Sequence, residues 1–402
     1  MKPRLFSIPV LSSGILALSA SMVQAAPDKV VAVHRHALVI DAHADVYNPL
    51  EYPDQTTTID AGSEVDIDKL RQGGVDAVFL SVHAPQEEND VGGREKERRV
   101  AEAKLAAIKD IAARHPDKAA LAKTPADVRK IAASGRTAIL ISLLNGAPYS
   151  QDKNAVQYLY DQGVRMIGFV HMGNNELADS SRPFARQKTG ENGGLSSLGK
   201  QWVADANRLG IVLDVSQLST QSLMQTVALS KAPVIASHSG IRSVVDTSRN
   251  LTDQELDAVA KSGGAVCVVA FSAYLAKSLP PGTDIARITS LAQTFSNGYE
   301  GMTVEHRKEV YAELNRLMPR ASVEQYIDNI DAAVKRIGVD HVCISSDFNH
   351  GVTGINGWRN EGEAPNVTAA LLKRGYSSQD IDKLWGGNVL RVMAKVQALR
   401  AR

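Results

Sequence analysis

Short apolar runs alternate along this chain with longer stretches in which apolar positions recur every three or four residues. The short runs cover residues 37–41, 77–82, 138–142, 166–170, 211–215, 234–237, 265–270 and 342–346. Several are nearly continuous Val, Ile and Leu, as expected of strands covered on both faces. Between them lie helix-period segments such as 94–114, 198–209, 253–261 and 323–337. Thr252-Asp253-Gln254-Glu255 has the residue types of a helix capping box. Strand followed by helix, eight times over, predicts a parallel sheet closed into a TIM-type (β/α)8 barrel. A doubly wound open sheet is the competing α/β architecture. It would bring a Gly-rich phosphate loop after the first strand, and none follows Asp41.

One stretch breaks the rhythm. Residues 271–322, between the seventh and eighth runs, contain Pro280-Pro281-Gly282 and then a helical pattern over 305–316. The pattern predicts an insertion on the loop face of the barrel, either a lid or a plain surface excursion. The C-terminal residues 371–402 read as helical and as packing against the barrel.

The first 25 residues stand apart from this pattern. A basic start, Met1-Lys2-Pro3-Arg4, leads into an apolar run that ends in the small residues Ala25 and Ala26. This predicts a secretory signal peptide cleaved near Ala25, leaving residues 26–402 as a single barrel domain exported to the periplasm or beyond. A transmembrane anchor is the competing reading. Pro9 and the scattered serines argue against it, in a run only marginally long for the ~20 residues of a span.

Composition narrows the function. Lys and Arg total 45 against 44 Asp and Glu, so no basic excess points to nucleic acid as a partner. Aromatic residues make up only 5%, which weakens any surface built for stacking sugars or bases. The two cysteines, Cys267 and Cys343, both sit in apolar strand-like runs and are expected as buried free thiols. A disulfide would require their Cα atoms within about 7 Å.

Polar residues cluster where the predicted strands end, which in a barrel is where function sits. The first run leads into Asp41-Ala42-His43-Ala44-Asp45, with His43 and Asp45 two apart and facing one side of an extended chain. The fourth ends at His171, the sixth at Ser237-His238-Ser239, and the eighth at Ser345-Ser346-Asp347. Four strands thus deliver His or Asp to one face, the makings of a divalent metal site. His83 and His350 are further candidates for the mouth. His34, His36, His115, His306 and His341 are expected to be solvated, and Trp202, Trp358 and Trp385 to be packing residues, with Trp358 nearest the mouth.

These segments resemble the membrane (renal-type) dipeptidases, within the metal-dependent amidohydrolase barrels. The likeness runs from about Leu38 to Val396. It rests on Ile40-Asp41-Ala42-His43-Ala44-Asp45, Gly193-Gly194-Leu195-Ser196, Asn207-Arg208-Leu209-Gly210, Ala236-Ser237-His238-Ser239, Arg249-Asn250-Leu251-Thr252, Ser346-Asp347-Phe348 and Gly386-Gly387-Asn388. The resemblance implies two zinc ions. One would be held by His43, Asp45 and Asp347, the other by two His residues, of which His238 is one. A Glu bridges the pair in the family. His171 would contact substrate and oxyanion, and Arg249 would bind the substrate carboxylate. A homodimer is also suggested by the resemblance.

Two positions depart from the family's pattern. In Leu143-Leu144-Asn145-Gly146, Leu144 replaces the bridging Glu; in Asp214-Val215-Ser216-Gln217, Gln217 replaces a ligating His. A leucine cannot ligate, and a neutral amide oxygen is a poor match for zinc beside imidazole. The expectation is therefore one ion, zinc or another dication, serving an exported hydrolase of dipeptide or small amide bonds. The alternative is a catalytically silent relative that binds a peptide or small molecule in the barrel mouth.

Overall fold

The computed structural model describes residues 27–51, 63–87, 90–276, 279–299, 301–352 and 354–400. The expected signal peptide lies outside these residues. Among the described residues no helix is long and apolar enough to cross a membrane.

Among the described residues nine parallel strands form the sheet: β1 (Ile40–Asp45), β2 (Ala77–His83), β3 (Ala119–Leu121), β4 (Thr137–Leu144), β5 (Val164–Gly168), β6 (Val212–Asp214), β7 (Ile235–Ser239), β8 (Ala265–Val269) and β9 (Val342–Ser345). Their order is β1-β2-β4-β5-β6-β7-β8-β9, and the short β3 pairs with the start of β4 outside this path. These eight match the eight apolar runs, and β3 is the addition. β1 and β9 meet through the segment beyond β9, where Asp347 N–H donates to His43 O and Asp45 N–H to Phe348 O, each at 2.9 Å. The result is a nearly closed (β/α)8 barrel of the TIM type.

Side chains fill the barrel's lower interior. Ile40, Phe79, Leu140, Met166, Val212 and Ile235 pack there together with Val389, Leu390 and Met393 of the C-terminal helix Asn388–Ala398, which closes the base. Cys267 and Cys343 belong to the same layer. They are direct partners in the β8–β9 register, with Cα atoms 4.0 Å apart, and form a disulfide. The expected free thiols are corrected here. Register between strands 76 residues apart decides the pairing, and apolar runs alone do not carry it.

One further expectation changes. His34 is buried, its ring bonded to Thr368 Oγ1 and to Gly73 O, because the helix Pro27–His36 packs onto the barrel. Trp358, expected as a packing residue although nearest the mouth in sequence, is indeed fully buried against Phe348, Tyr326 and Trp385.

β1 begins and ends later than its apolar run suggests, so His43 and Asp45 lie within it. Its pairing with β2 slips between Asp41 and Ala44, and the pairing of β7 with β8 slips between Ala236 and Ser239. Each irregularity falls on a strand segment that carries an imidazole, His43 or His238. Bulges of this kind re-aim side chains near sites.

The insertion after β8 contributes helices Ser272–Leu275, Ile285–Gln293 and Val304–Leu317 before the barrel helix Val323–Ile337. Leu291, Phe295, Val310 and Leu314 give it a small core of its own, joined by Met172 and Met318. Its inner side faces the barrel mouth.

Candidate metal and substrate site

A cavity of about 420 Å³ opens at the C-terminal ends of the strands, where the chemistry-bearing residues were expected. Its floor presents Asp45, His83, Leu144, His171, Gln217, His238, Arg249 and Asp347, and its far wall comes from the insertion. Four residues just past the strand ends have left-handed backbone although none is glycine: Asn145 (φ 77°), Gln217 (φ 71°), Asp347 (φ 60°) and Asn349 (φ 65°). Asn and Asp tolerate that region and Gln does less well, so the fold holds Gln217 in place against a local cost of order 1 kcal/mol.

Three potential ligand groups draw together. The ligand atoms of His43, His238 and Asp347 lie within 4.8 Å of one another. The two imidazoles stack with ring centroids 3.8 Å apart, and His43 Nε2 lies 3.7 Å from Asp347 Oδ1. His43 Nε2 and Asp45 Oδ1 are buried without a hydrogen-bond partner among the described residues. Asp45 lines the same cavity but stands outside the group of three. Burial raises the Asp45 carboxyl's pKa, and Lys104 pulls it back.

His238 is fixed by a chain whose direction can be worked out. Asp214 accepts the N–H groups of Ser216 and Ser237, and Ser237 Oγ–H donates to its Oδ2 at 2.5 Å. Ser237 Oγ must then accept from His238 Nδ1–H, at 2.7 Å. That leaves His238 Nε2 as a lone pair, which accepts from the Gln217 amide at 3.2 Å. Gln217 Oε1 in turn accepts from Arg182 at 2.8 Å. Burial drives the pKa of His238 well below the ordinary histidine value, in keeping with a neutral ring. The same holds for His83 and His171, whose rings lie 4.3 Å apart.

Leu144 projects an apolar side chain toward Gly168, where a methyl added to the glycine would lie 3.4 Å from Leu144 Cδ1 and 3.7 Å from Asp214 Oδ2. It supplies no ligand between the two halves of the site. His350 reaches the cavity, its Nδ1 bonded to Asp347 O at 2.5 Å, but it does not join the group of three.

Arg249 is buried. Its terminal nitrogens are held by Ser239 Oγ and by His238 O, while its Nε has no partner among the described residues. Burial lowers its pKa to about 10, which leaves the guanidinium charged near neutrality.

Three residues that sequence reasoning did not single out shape the cavity: Lys104, Arg182 and Tyr274. Lys104 comes from the middle of helix Val91–Arg114 and Arg182 from the loop after β5. Neither sits at a strand end, so the rule that found the others passes over them. Burial lowers the Lys104 ammonium's pKa, and Asp45 and Glu51 oppose the shift. Tyr274 lies between two guanidiniums: its hydroxyl accepts from Arg182 and its ring faces Arg249.

A nearly closed (β/α)8 barrel with imidazoles and carboxylates gathered at its C-terminal mouth defines a metal-dependent hydrolase scaffold. The chain belongs to the membrane dipeptidase family, peptidase family M19, whose family model matches residues 27–402. It is 30% identical over 374 residues to dipeptidase verJ of Clonostachys rogersoniana, covering 89% of this chain and 84% of that protein. To dipeptidase tcpJ of Claviceps purpurea it is 27% identical over 348 residues, covering 86% and 72%. Among solved structures it superposes on the probable dipeptidase PvdM from Pseudomonas aeruginosa with a TM-score of 0.82 and 34% identity, over 93% of this chain and 100% of that one. A metallo peptidase from Rhodobacter sphaeroides, liganded with a phosphinate mimic of L-Ala-D-Ala, shares the fold at a TM-score of 0.72 and 23% identity, over 90% and 99%.

Proposed function

We propose that this protein is an exported hydrolase of dipeptides or related small amides that works with a single metal ion, zinc or another dication. The observation that carries the reading is the meeting of His43, His238 and Asp347 around a buried, unpartnered His43 Nε2. A buried ring nitrogen left without a partner is costly unless a ligand completes it.

The residues fit one ion. His43, His238 and Asp347 would hold it once the Gln217 amide turns aside from His238 Nε2, with the unpartnered Asp45 Oδ1 of the same cavity as a further donor. They do not fit two, since Leu144 offers no bridge and Gln217 is already committed at both ends of its amide. A bound dication there supplies Lewis acidity and lowers the pKa of water toward ~7.

The chain's own groups supply the rest. Asp347 takes a proton from the attacking water and passes it to the leaving amine. His171, half-buried and neutral because its surroundings hold its pKa well below the ordinary histidine value, donates a hydrogen bond to the developing oxyanion. Arg249, immobilised in the cavity wall by Ser239 and the His238 carbonyl, binds the substrate carboxylate through its guanidinium charge. The apolar wall formed by Phe295, Leu314 and Met318 shields the reaction from bulk water.

Export is supported by the leader-like residues 1–25 and by the Cys267–Cys343 disulfide, a bond favoured in oxidising compartments. Cell fractionation with a periplasmic marker tests it.

The second reading, a silent binding protein, draws on the self-satisfied Arg182–Gln217–His238 chain. The metal content of purified protein, measured with turnover of a dipeptide panel, separates the two. Stoichiometric metal and turnover that a chelator abolishes support the hydrolase. Absence of both leaves only binding.

A further inference from the structure

Gln217 and Leu144 stand where the family resemblance expects a ligating imidazole and a bridging carboxylate. What the fold places beside Gln217 instead is a guanidinium. Arg182 donates to Gln217 Oε1 at 2.8 Å and to the Tyr274 hydroxyl at 3.1 Å, and its Nε is buried without a partner among the described residues. Its backbone is stitched to the same place. Ser181 N–H donates to Gln217 O at 2.8 Å, Ser180 Oγ accepts from Arg182 N–H at 3.1 Å, and Ser180 pairs with Leu218 in an isolated bridge. The left-handed Gln217 and the loop carrying Arg182 therefore hold each other.

A guanidinium keeps its charge at any working pH and is weakly hydrated, so it survives in a half-buried site that would neutralise a lysine. Across the cavity, Lys104 lies within the field of Asp45 and Glu51 and answers the carboxylate side. Arg182 answers the side from which the family's bridging carboxylate and second imidazole have gone.

We propose that Arg182 is a built-in replacement for a second metal ion, a permanent cation that locks Gln217, keeps a second dication out and sets its charge in the cavity wall to attract an anionic oxygen of the bound peptide. This rests on the one-metal hydrolase reading above. In that reading Arg182 acts together with Arg249, the second guanidinium in the cavity wall, so the site favours ligands with two separated anionic oxygens, a terminal carboxylate and a tetrahedral oxyanion.

The test counts ions on the full-length mature protein after chelator stripping and zinc titration, by elemental analysis. Wild type is expected to take one zinc per chain. Leu144→Glu with Gln217→His, Arg182 retained, is expected still to take one, and adding Arg182→Met to bring the count to two. Two zinc ions in the wild type or in the double variant would overturn the proposal. A second measurement needs no rebuilt site: calorimetric binding of a phosphinate dipeptide mimic to the stripped protein. Arg182→Met should weaken it at least tenfold and Arg182→Lys should recover part of the loss, whereas unchanged affinity in Arg182→Met also overturns the proposal. Should wild type take no zinc at all, the one-metal reading fails, and the phosphinate comparison still decides for or against Arg182.

Discussion

Asp347 N–H donates to the carbonyl of His43 at 2.9 Å, while its carboxylate faces the ring of the same residue, Oδ1 to Nε2, at 3.7 Å. One contact closes the barrel between β1 and the segment after β9. The other sets two potential ligands face to face. Closure of the fold and assembly of the site are here one event, which is why the site's residues come from opposite ends of the chain.

Replacing Asp347 separates these roles. Asp347→Asn keeps the backbone bond and the side-chain shape but removes the charge and the proton acceptor. Dipeptide turnover should fall by roughly 10²–10⁴-fold, the usual worth of a positioned acid–base group, with the melting temperature little changed. Steady-state kinetics on the metal-loaded protein check this, and unchanged turnover would exclude Asp347 as the proton carrier.

Arg249 is fixed through two of its nitrogens, so lysine cannot stand in for it. Arg249→Lys should raise KM at least tenfold for a dipeptide with a free carboxylate. For the same dipeptide amidated at its C-terminus, wild type and variant should differ little. An equal loss on both substrates would point to damage of the His238 backbone instead.

Beneath the site, Asp41 ties β1 to the β9 side. It accepts from Ser346 N–H and Oγ–H and from His43 N–H, and Glu361 lies buried beside it. Burial raises the pKa of both carboxyls, Glu361 further because Asp41's charge adds to the effect, so Glu361 carries the proton. Glu361→Gln preserves a neutral group and should cost under about 1 kcal/mol. Asp41→Asn turns an amide donor toward donors and should cost about 1–3 kcal/mol and weaken zinc binding. Denaturant melts and zinc titration of the two variants test the ordering.

Asp76 gives the pH dependence a sign. Its carboxylate accepts Val39 N–H at 2.9 Å, yet burial raises its pKa from 3.8 to about 6. Between those values the folded state keeps a proton that the unfolded chain releases. Its stabilising contribution is therefore full below the unfolded value and is lost as the pH rises through about 6, by at most about 3 kcal/mol. Asp76→Asn retains an acceptor and carries no charge. Its melting temperature relative to wild type should be higher at pH 7.5 than at pH 4, and a difference independent of pH would count against this assignment.

The eight apolar runs were legible because a barrel strand buried on both faces leaves a continuous signature, and each run overlaps an observed strand. The insertion was legible as a break in that rhythm. Candidate site residues His43, Asp45, His171, His238 and Asp347 stood out because a parallel barrel sends every strand's C-terminal end to one mouth. The losses at Leu144 and Gln217 were equally visible, since each is a local departure from a motif.

What fills those losses was not visible. Lys104 comes from the middle of an outer helix and Arg182 from a loop, and their approach to the site depends on helix rotation and loop path, which no local pattern encodes. The Cys267–Cys343 disulfide depends on register between distant strands, and the burial of His34 on the docking of one terminal helix. By itself the sequence determined the architecture and the reactive residue types, because periodicity and strand-end position are local properties. Only the tertiary structure decided which groups share a hydrogen bond, a field or a ligand, because those depend on distances between segments that the chain keeps far apart.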